Sequence, residues 1–302
     1  MGQYWILRDM DARTTSALGK LGESFFDMGE SLHEALCRVP IPSFTLHPQV
    51  RPDVPAMFRL AMTCRQCSRA GEPVLRRVLF EHFAPSAGHR LLCVGDGVKP
   101  GDYPLTLELS DGELQELNGT VEDEEYIDEE CDATLYNIIP TKDHVTNRGI
   151  KDALRSKIGP YLWPALYSTV SKIVPDQPCP CDTSFVLRNL SQRQYVRGEA
   201  MDEFCQKMAF GANNSRKDRP RLGDAAMARI CWSSDCSTSL NYDGPIEVHR
   251  GVWAGNRLDI VPSEAFLADC KDDAQAWVDV SAEVIAEVEA IWVAERMLKR
   301  RD

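Results

Sequence analysis

Carboxylates are concentrated in one short run of the chain. Eight of the eleven residues from Glu122 to Asp132 are acidic. Like charges at this density repel one another and raise one another's pKa, so such a run can hold a divalent cation or exchange protons in acid-base catalysis. The alternative is a solvated loop. The apolar residues Tyr126, Ile127 and Leu135–Ile139 favour a segment anchored to a core.

The acidity of the chain is local. Residues 108–132 contain twelve acidic side chains and no lysine or arginine, whereas the whole chain has 46 acidic and 34 basic residues and a net charge of −12. The remainder is therefore neutral. The segment Arg188–Arg229 is mildly basic and includes Arg193, so it could meet an anionic partner such as a nucleic acid, or it could be an ordinary solvated face.

A second group that could recognise a ligand surrounds Arg257. This arginine follows Trp253 and Gly255, and a guanidinium beside an aromatic ring can bind a carboxylate, a phosphate or a base. The same residues would also serve a structural ion pair at the start of a strand. Arg90 occupies the equivalent position in the first half of the chain, which favours the structural role.

Two repeated sequences predict the elements that position these side chains. The residues Trp5–Arg13 are echoed by Phe185–Arg193, and Gly88–Val94 are echoed in the same order by Gly255–Val261. The first of these stretches alternates in hydrophobicity around Tyr4–Leu7 and then breaks at Asp9–Asp11, which predicts a strand followed by a polar turn. We therefore predict an α+β fold made of internally duplicated strand-turn-helix-strand units, with helical inserts and a C-terminal helix.

The repeats also predict the domain organisation. The first unit spans residues 1–175 and includes a helical insert at about 45–87 and the acidic segment 108–132. The second unit spans residues 183–302 and includes the basic segment.

The periodicity places three helices in these units. A helix is predicted from Lys20 with an interruption at Gly29, and another over Val196–Ala209. In the C-terminal helix, Asp279 or Ser281 caps the start and Lys299–Arg301 lie at the negative end of the dipole.

Several classes of protein have no support in the sequence. The first nine residues lack a secretory signal, and the most apolar stretch, Ile158–Val174, is broken by Pro160 and Pro164, so we expect a cytoplasmic protein without a membrane span. The eleven cysteines are predicted to be free thiols, and Cys64–Cys67 is only half of a zinc site. No phosphate-binding or hydrolase motif is present, so no metal or cofactor is expected.

Five stretches of the chain together resemble a large family of filamentous-fungal proteins that begin Met-Gly-Gln-Tyr-Trp. The stretches are Met1–Trp5, Leu91–Asp96, Arg188–Arg197, Arg229–Asp235 and His249–Arg257. Members of this family often carry an F-box-like insert, and Phe58–Arg65 is similar to the second half of that insert. The resemblance implies a noncatalytic interaction module that binds a Skp1-type adaptor protein.

The chain also resembles the fungal arginine-containing cyclodipeptide synthases, which use aminoacyl-tRNA in secondary metabolism. That family is described by an Asp-Asp-x-x-Glu motif, for which Asp128-Glu129-x-x-Asp132 is the nearest match. The resemblance implies that Asp128, Glu129 and Asp132 are catalytic. The residues expected to bind the substrates are Glu130, Arg188, Arg193, Trp253 and Arg257.

Overall fold

The computed structural model describes residues 2–38, 84, 86–122, 130–138, 184–209, 219–272, 276–296 and 299–300. Asp128, Glu129, the Cys64–Cys67 pair, the F-box-like stretch and most of the predicted helical insert lie outside the described residues. The seven cysteines within them are free thiols. No described helix is both long enough and apolar enough to cross a membrane.

The fold is mixed α/β and is built on one mostly antiparallel sheet of eight strands. Its strands are β1 (Tyr4–Asp9), β2 (Thr14–Lys20), β3 (His89–Gly95), β6 (Phe185–Asn189), β7 (Gln194–Arg197), β9 (Cys231–Trp232), β10 (Arg257–Pro262) and β11 (Val278–Asp279). The order is β11-β7-β6-β10-β3-β1-β2, with β9 pairing in parallel with β3. Both predicted units therefore contribute to a single sheet, which is joined by the β3–β10 pair.

Two further pairs of strands lie outside this sheet. They are β4 (Thr120–Glu122) with β5 (Glu130–Asp132), and β8 (Met208–Ala209) with β12 (Lys299–Arg300). The described helices are α1 (Leu21–Leu36), α2 (Asp111–Leu117), α3 (Gly198–Lys207), α4 (Leu222–Ile230), α5 (Ser263–Asp272) and α6 (Ser281–Arg296).

Each of the two large hairpins turns through the polar residues that the repeat predicts. In the first, Asp9 Oδ1 accepts a hydrogen bond from Ala12 N at 2.9 Å, and Arg13 adopts a φ of 53°. In the second, Asn189 Oδ1 accepts one from Gln192 N at 3.0 Å, and the φ of Arg193 is also 53°. The side chain at the end of the first strand therefore fixes each turn.

The strand that follows each turn differs from our prediction. Residues 194–197 form β7, so the helix predicted from Val196 begins only at Gly198. These four residues form a strand because each of them pairs with a residue of β6, from Gln194 with Asn189 to Arg197 with Val186. Strand β2 of the first hairpin was likewise not predicted.

Helix α1 continues through Gly29, so the predicted interruption there is wrong. A Cβ atom on Gly29 would lie 2.3 Å from Asp224 Oδ1, and one on Gly223 would lie 1.9 Å from Gly29 O. The two glycines thus allow α1 and α4 to cross with their backbones in contact. Close packing of this kind outweighs the low intrinsic helix propensity of glycine.

The C-terminal helix begins as predicted. Asp279 Oδ1 accepts a hydrogen bond from Ser281 N at 2.9 Å, and Val284, Val288, Ile291 and Trp292 are buried on one face. Lys299 and Arg300, however, form a short antiparallel ladder, in which Lys299 pairs with Ala209 and Arg300 pairs with Met208. They therefore form a strand and do not extend the helix C-terminus as we predicted.

The two larger hydrophobic clusters among the described residues form the core of the molecule. The larger one contains residues from both halves of the chain, including Trp5, Phe25, Leu187, Trp253 and Trp292. The smaller one, which we call the second core, lies against the first half of the sheet and consists of Met10, Leu92, Val94, Val98, Leu107, Leu117, Ala133, Leu135, Ile138 and Ala254.

Candidate functional site

The acidic run begins and ends in a small antiparallel hairpin, here called the acidic hairpin (β4 and β5). Glu122 pairs with Glu130, and Thr120 pairs with Asp132. Because paired residues and residues two apart share a face of a strand, positions 122, 130 and 132 lie on one face. Asp132 is exposed.

The opposite face of the acidic hairpin is attached to the second core. Val121 packs against this core, and Ala133, Leu135 and Ile138 immediately after the hairpin belong to it. Ala133 N also donates a hydrogen bond to Gly119 O at 3.0 Å. The described ends of the acidic run are therefore fixed to the body of the protein and are not part of a freely solvated loop.

Helix α2 in the same acidic segment is tied to the sheet by arginines. Ser110 and Glu113 form a capping box at its start, and Glu113 also accepts hydrogen bonds from Arg90 at 2.9 and 3.1 Å. Glu116 accepts bonds of 3.0 Å from Arg13. Two of the twelve acidic side chains thus have a structural role.

The predicted substrate-binding residue Arg257 lies beside its counterpart Arg90. Arg257 Nη1 donates to Asp11 Oδ2 at 2.6 Å and to Gly88 O at 3.0 Å, while Arg90 Nε donates to Asp11 Oδ1 at 2.9 Å. Burial raises the pKa of Asp11, but the hydrogen bonds from Arg90 and the two positive charges outweigh this and lower it. Asp11 is therefore a carboxylate that bridges the two arginines.

Next to this bridge, His89 Nδ1 lies 2.9 Å from Asp9 Oδ2. The hydrogen bond to Asp9 raises the pKa of His89 against the opposing effect of burial. The corresponding pair in the second half is neutral, with Asn189 Nδ2 donating to Asn256 Oδ1 at 2.9 Å. The His89–Asp9 contact in the first half therefore changes its charge with pH, whereas the Asn189–Asn256 contact does not.

This contact predicts a pH-dependent stability. Because the folded-state pKa of His89 is raised, its contribution is fully present below the unfolded value of about 6.5 and is lost as the pH rises through the folded value. We expect the free energy of unfolding, measured with urea between about pH 6 and pH 8.5, to fall less in His89→Asn, which copies Asn256, than in the wild type. Equal pH dependence in the two proteins would contradict this assignment.

Arg188, another predicted substrate-binding residue, is buried in β6 and satisfied by carboxylates. Its Nε and Nη2 donate to the two oxygens of Asp259 at 2.8 and 2.9 Å, and its Nη1 donates to Asp269 at 2.6 Å. The Trp277 ring lies 5.7 Å from the guanidinium carbon. This arrangement is a structural ion pair within the second half.

The other two predicted residues lie in different surroundings. Arg193 is half-buried in its turn, with its guanidinium carbon 5.8 Å from the Trp277 ring. Trp253 is fully buried, its Nε1 donates to Gln194 Oε1 at 2.7 Å, and Arg229 lies 5.0 Å from its ring. Trp253 is therefore a core residue without an exposed stacking face.

The structure brings only some of the predicted residues together. Glu130 and Asp132 share the acidic hairpin, and Arg188 and Arg193 share Trp277. Arg257 is connected to the acidic segment through Asp11, Arg90 and Glu113. Within the described ranges, no cluster of three His, Cys, Asp or Glu residues could hold a metal ion.

A cleft of about 330 Å³ was not predicted from the sequence. Its lining includes Arg229, Glu247, Arg250 and Glu287. Arg229 is held by Glu287 at 2.6 Å, and Arg250 makes a two-pronged contact of 2.7 and 2.8 Å with Asp102. In the sequence, Arg250 in the His249-Arg-Gly stretch was the one indication of this cleft. Its partner Asp102 is 148 residues away, so the pair could not be recognised from the sequence.

Comparison of the chain with known protein families, with curated proteins and with solved structures finds no significant match.

Proposed function

We propose that this protein is an aminoacyl-tRNA-dependent cyclodipeptide synthase that makes an arginine-containing diketopiperazine. The observation that supports this most directly is the acidic hairpin. Its register puts positions 122, 130 and 132 on one face, and its other face is attached to the second core. A rigid carboxylate-bearing element is suited to a guanidinium, which forms charge-assisted hydrogen bonds with carboxylates.

The proposed reaction has two steps that form peptide bonds. The α-amino group of one aminoacyl ester attacks the carbonyl carbon of the other, and the first tRNA leaves as its free 3′ end takes up the proton. The amino group of the resulting dipeptidyl ester then attacks the remaining ester carbonyl, which closes the ring and releases the second tRNA. Asp128, Glu129 and Asp132 engage the arginyl group or accept and return the amine proton.

The tRNA phosphates would meet the exposed part of the basic segment. Arg221 and Arg229 are buried and are also tied to Glu30 and Glu287, so they do not serve this purpose. Arg197 and Lys207 are exposed, and Arg193 is half-buried. Arg219 is half-buried as well, and Arg197 pairs with Asp279 at 2.9 Å although nearly half of its side chain is exposed. These four side chains are the described cations of the segment that a polyanion could reach, and cationic contacts supply most of the affinity for such a partner.

The test is mass spectrometry of a host that expresses the chain. We expect a new arginine-containing diketopiperazine from the wild type, and a loss of about a hundredfold or more from Asp132→Asn and from the double variant Asp128→Asn/Glu129→Gln, since acid-base groups contribute on that scale. Asp243→Asn is the matched control, because Asp243 is an exposed carboxylate far from the acidic run in sequence. It should leave the product unchanged.

The opposing outcome is equally specific. If the wild type gives no diketopiperazine and a Skp1-type adaptor protein copurifies with it, the chain is the F-box-like interaction module. Full product from the folded Asp128→Asn/Glu129→Gln variant would remove the carboxylates from the mechanism.

We further propose that the two halves are an internal duplication. Corresponding residues make corresponding backbone hydrogen bonds across the β3–β10 pair: Gly88 N donates to Leu258 O at 2.7 Å, and Gly255 N donates to Leu91 O at 2.8 Å. The turns agree as well, since Met10 N donates to Arg90 O and Leu190 N donates to Arg257 O.

A third correspondence supports the proposal and involves the crossing helices. Gly29 in α1 and Gly223 in α4 are each followed eight residues later, just past the end of the helix, by a cysteine, Cys37 and Cys231. Cys37 forms a parallel bridge with Ile260, and Cys231 forms a parallel pair with Cys93, the position equivalent to Ile260. Matching contacts also follow the helices, as Ala35 O accepts from Ser86 N and Arg229 O accepts from Trp253 N.

The duplication predicts equal responses at equivalent turns. Arg13 and Arg193 share the left-handed backbone that glycine adopts without strain. We expect Arg13→Gly to be more stable than Arg13→Ala by about 1 kcal/mol, and Arg193→Gly to exceed Arg193→Ala by the same amount. Urea denaturation of the four variants measures this, and a glycine preference at only one turn would count against equivalent turns.

A further inference from the structure

Arg8 is a buried cation without a carboxylate among the described residues. The whole residue is 1% exposed, and only Nη2 has a hydrogen-bond acceptor, Tyr136 O at 2.5 Å. Nε and Nη1 are buried and unsatisfied. Burial lowers the pKa of Arg8 to about 10, so the side chain still carries its charge at neutral pH.

The equivalent arginine in the second half shows what this side chain lacks. Arg188 in β6 pairs in register with Asp259 of β10, whose two oxygens accept its Nε and Nη2. Arg8 in β1 pairs in the same register with Leu92 of β3. The first half thus retains the arginine and has a leucine in place of its acid.

This difference has an energetic consequence. An unpaired charge in a protein interior costs several kcal/mol, and one carbonyl oxygen offsets only part of that cost. The side chains beside Arg8 in the sheet carry no charge: Leu92 and Met10 belong to the second core, and Thr15 is its partner in β2. Some other negative group is needed to make a charged Arg8 favourable.

We propose that Arg8 binds the carboxylate of a small-molecule ligand with an apolar body. A carboxylate matches the planar guanidinium, as Asp259 does for Arg188. A single carboxylate neutralises the one cation, whereas a doubly charged phosphate would leave an excess negative charge beside Met10 and Leu92. The apolar body of the ligand suits the second core and its partly buried aromatic neighbours Tyr103, Tyr136 and Trp232.

The site adjoins the acidic hairpin, although its existence does not depend on the proposed activity. Tyr136, whose carbonyl oxygen accepts the hydrogen bond from Arg8, is four residues beyond Asp132. Its neighbours Leu135 and Ile138 hold this segment in the second core. A ligand on Arg8 therefore binds next to the segment that supports the hairpin.

The test is thermal unfolding of the full chain with sodium phenylacetate as the probe, against sodium chloride at the same ionic strength. We expect phenylacetate to raise the Tm of the wild type, and Arg8→Met to weaken its binding by about tenfold or more, because one hydrogen bond to a charged group corresponds to at least that factor. No carboxylate-specific rise in the wild type, or an equal rise in Arg8→Met, overturns the proposal.

A second variant supplies the carboxylate from within the chain. Leu92→Asp recreates the Arg188–Asp259 register at Arg8, so it should abolish the response to phenylacetate and be more stable than Leu92→Asn, which has the same shape without the charge. The comparison of Leu92→Asp with Leu92→Asn also tests whether Arg8 binds a carboxylate if Arg8→Met fails to fold. A response to phenylacetate that persists in Leu92→Asp, or an Asn variant as stable as the Asp variant, overturns the proposal.

Discussion

Replacing Gly223 with alanine is expected to destabilise the protein by about 3 kcal/mol or more, a large share of the total stability of a typical domain. The added Cβ would lie 1.9 Å from Gly29 O and 2.6 Å from His33 N. Both atoms belong to the backbone of α1, so no side-chain rotation relieves the clash. The two helices must move apart, and the hydrophobic cluster between them loses its packing.

Urea denaturation measures this loss as a lower midpoint at an unchanged slope. Gly112→Ala is the matched control, because Gly112 is also helical and its added Cβ would contact nothing within 4 Å. It should stabilise the protein by about 0.5–1 kcal/mol through helix propensity. If Gly223→Ala raises the urea midpoint as Gly112→Ala does, α1 and α4 do not cross at Gly29 and Gly223.

Replacing Asp259 with leucine is expected to cost about 3–5 kcal/mol, because it leaves Arg188 buried without its principal partner. Asp259 is fully buried and accepts two hydrogen bonds from Arg188, and Arg38 lies 3.2 Å from the same carboxylate. The remaining partner of Arg188, Asp269, is largely exposed and so is screened by water.

A double variant separates the unpaired charge from the lost packing. Arg188→Met/Asp259→Leu removes both charges and should be more stable than Asp259→Leu alone, since apolar replacement of a buried pair is often close to neutral. Denaturation of both proteins at the same pH measures the difference. An additive result, with the double variant less stable than either single variant, would mean that the two side chains do not act as a pair.

The sequence predicted the strands that carry the repeated residues. Strands β1, β3, β6 and β10 carry the repeated residues, and their inner positions such as Leu7, Leu91 and Leu187 are buried. Strand β2 was missed because Thr14–Lys20 contains few apolar residues and lies at the edge of the sheet, where pairing with β1 and not burial determines the structure.

Helices α1, α3 and α6 were predicted from periodicity, but their contacts were not, and α2 and α5 were missed. Gly29 was interpreted as a break because its propensity is a local quantity, whereas its role depends on Gly223 about 190 residues away. The matched Gly29–Cys37 and Gly223–Cys231 spacing was a signal that could have linked the two helices. It is weak in the sequence because the residues between the two ends differ.

The candidate site was predictable only where its residues are adjacent in the chain. The apolar neighbours of the acidic run predicted that it is anchored to a core, but not that Glu130 and Asp132 lie in a hairpin. The partners of Arg188 and Arg257 are 71 and 246 residues away, so residue type alone could not separate a structural ion pair from a ligand-binding arginine. Only the sheet register makes that distinction.

The crossing of α1 and α4 also bears on how such a gene could change. Cys37 at the end of α1 bridges to β10 of the second half, while Cys231 at the end of α4 pairs with β3 of the first half. Each of these helices therefore ends against a strand that the other half contributes to the shared sheet. A deletion of either half would therefore remove a helix end that pairs with the strands of the other half.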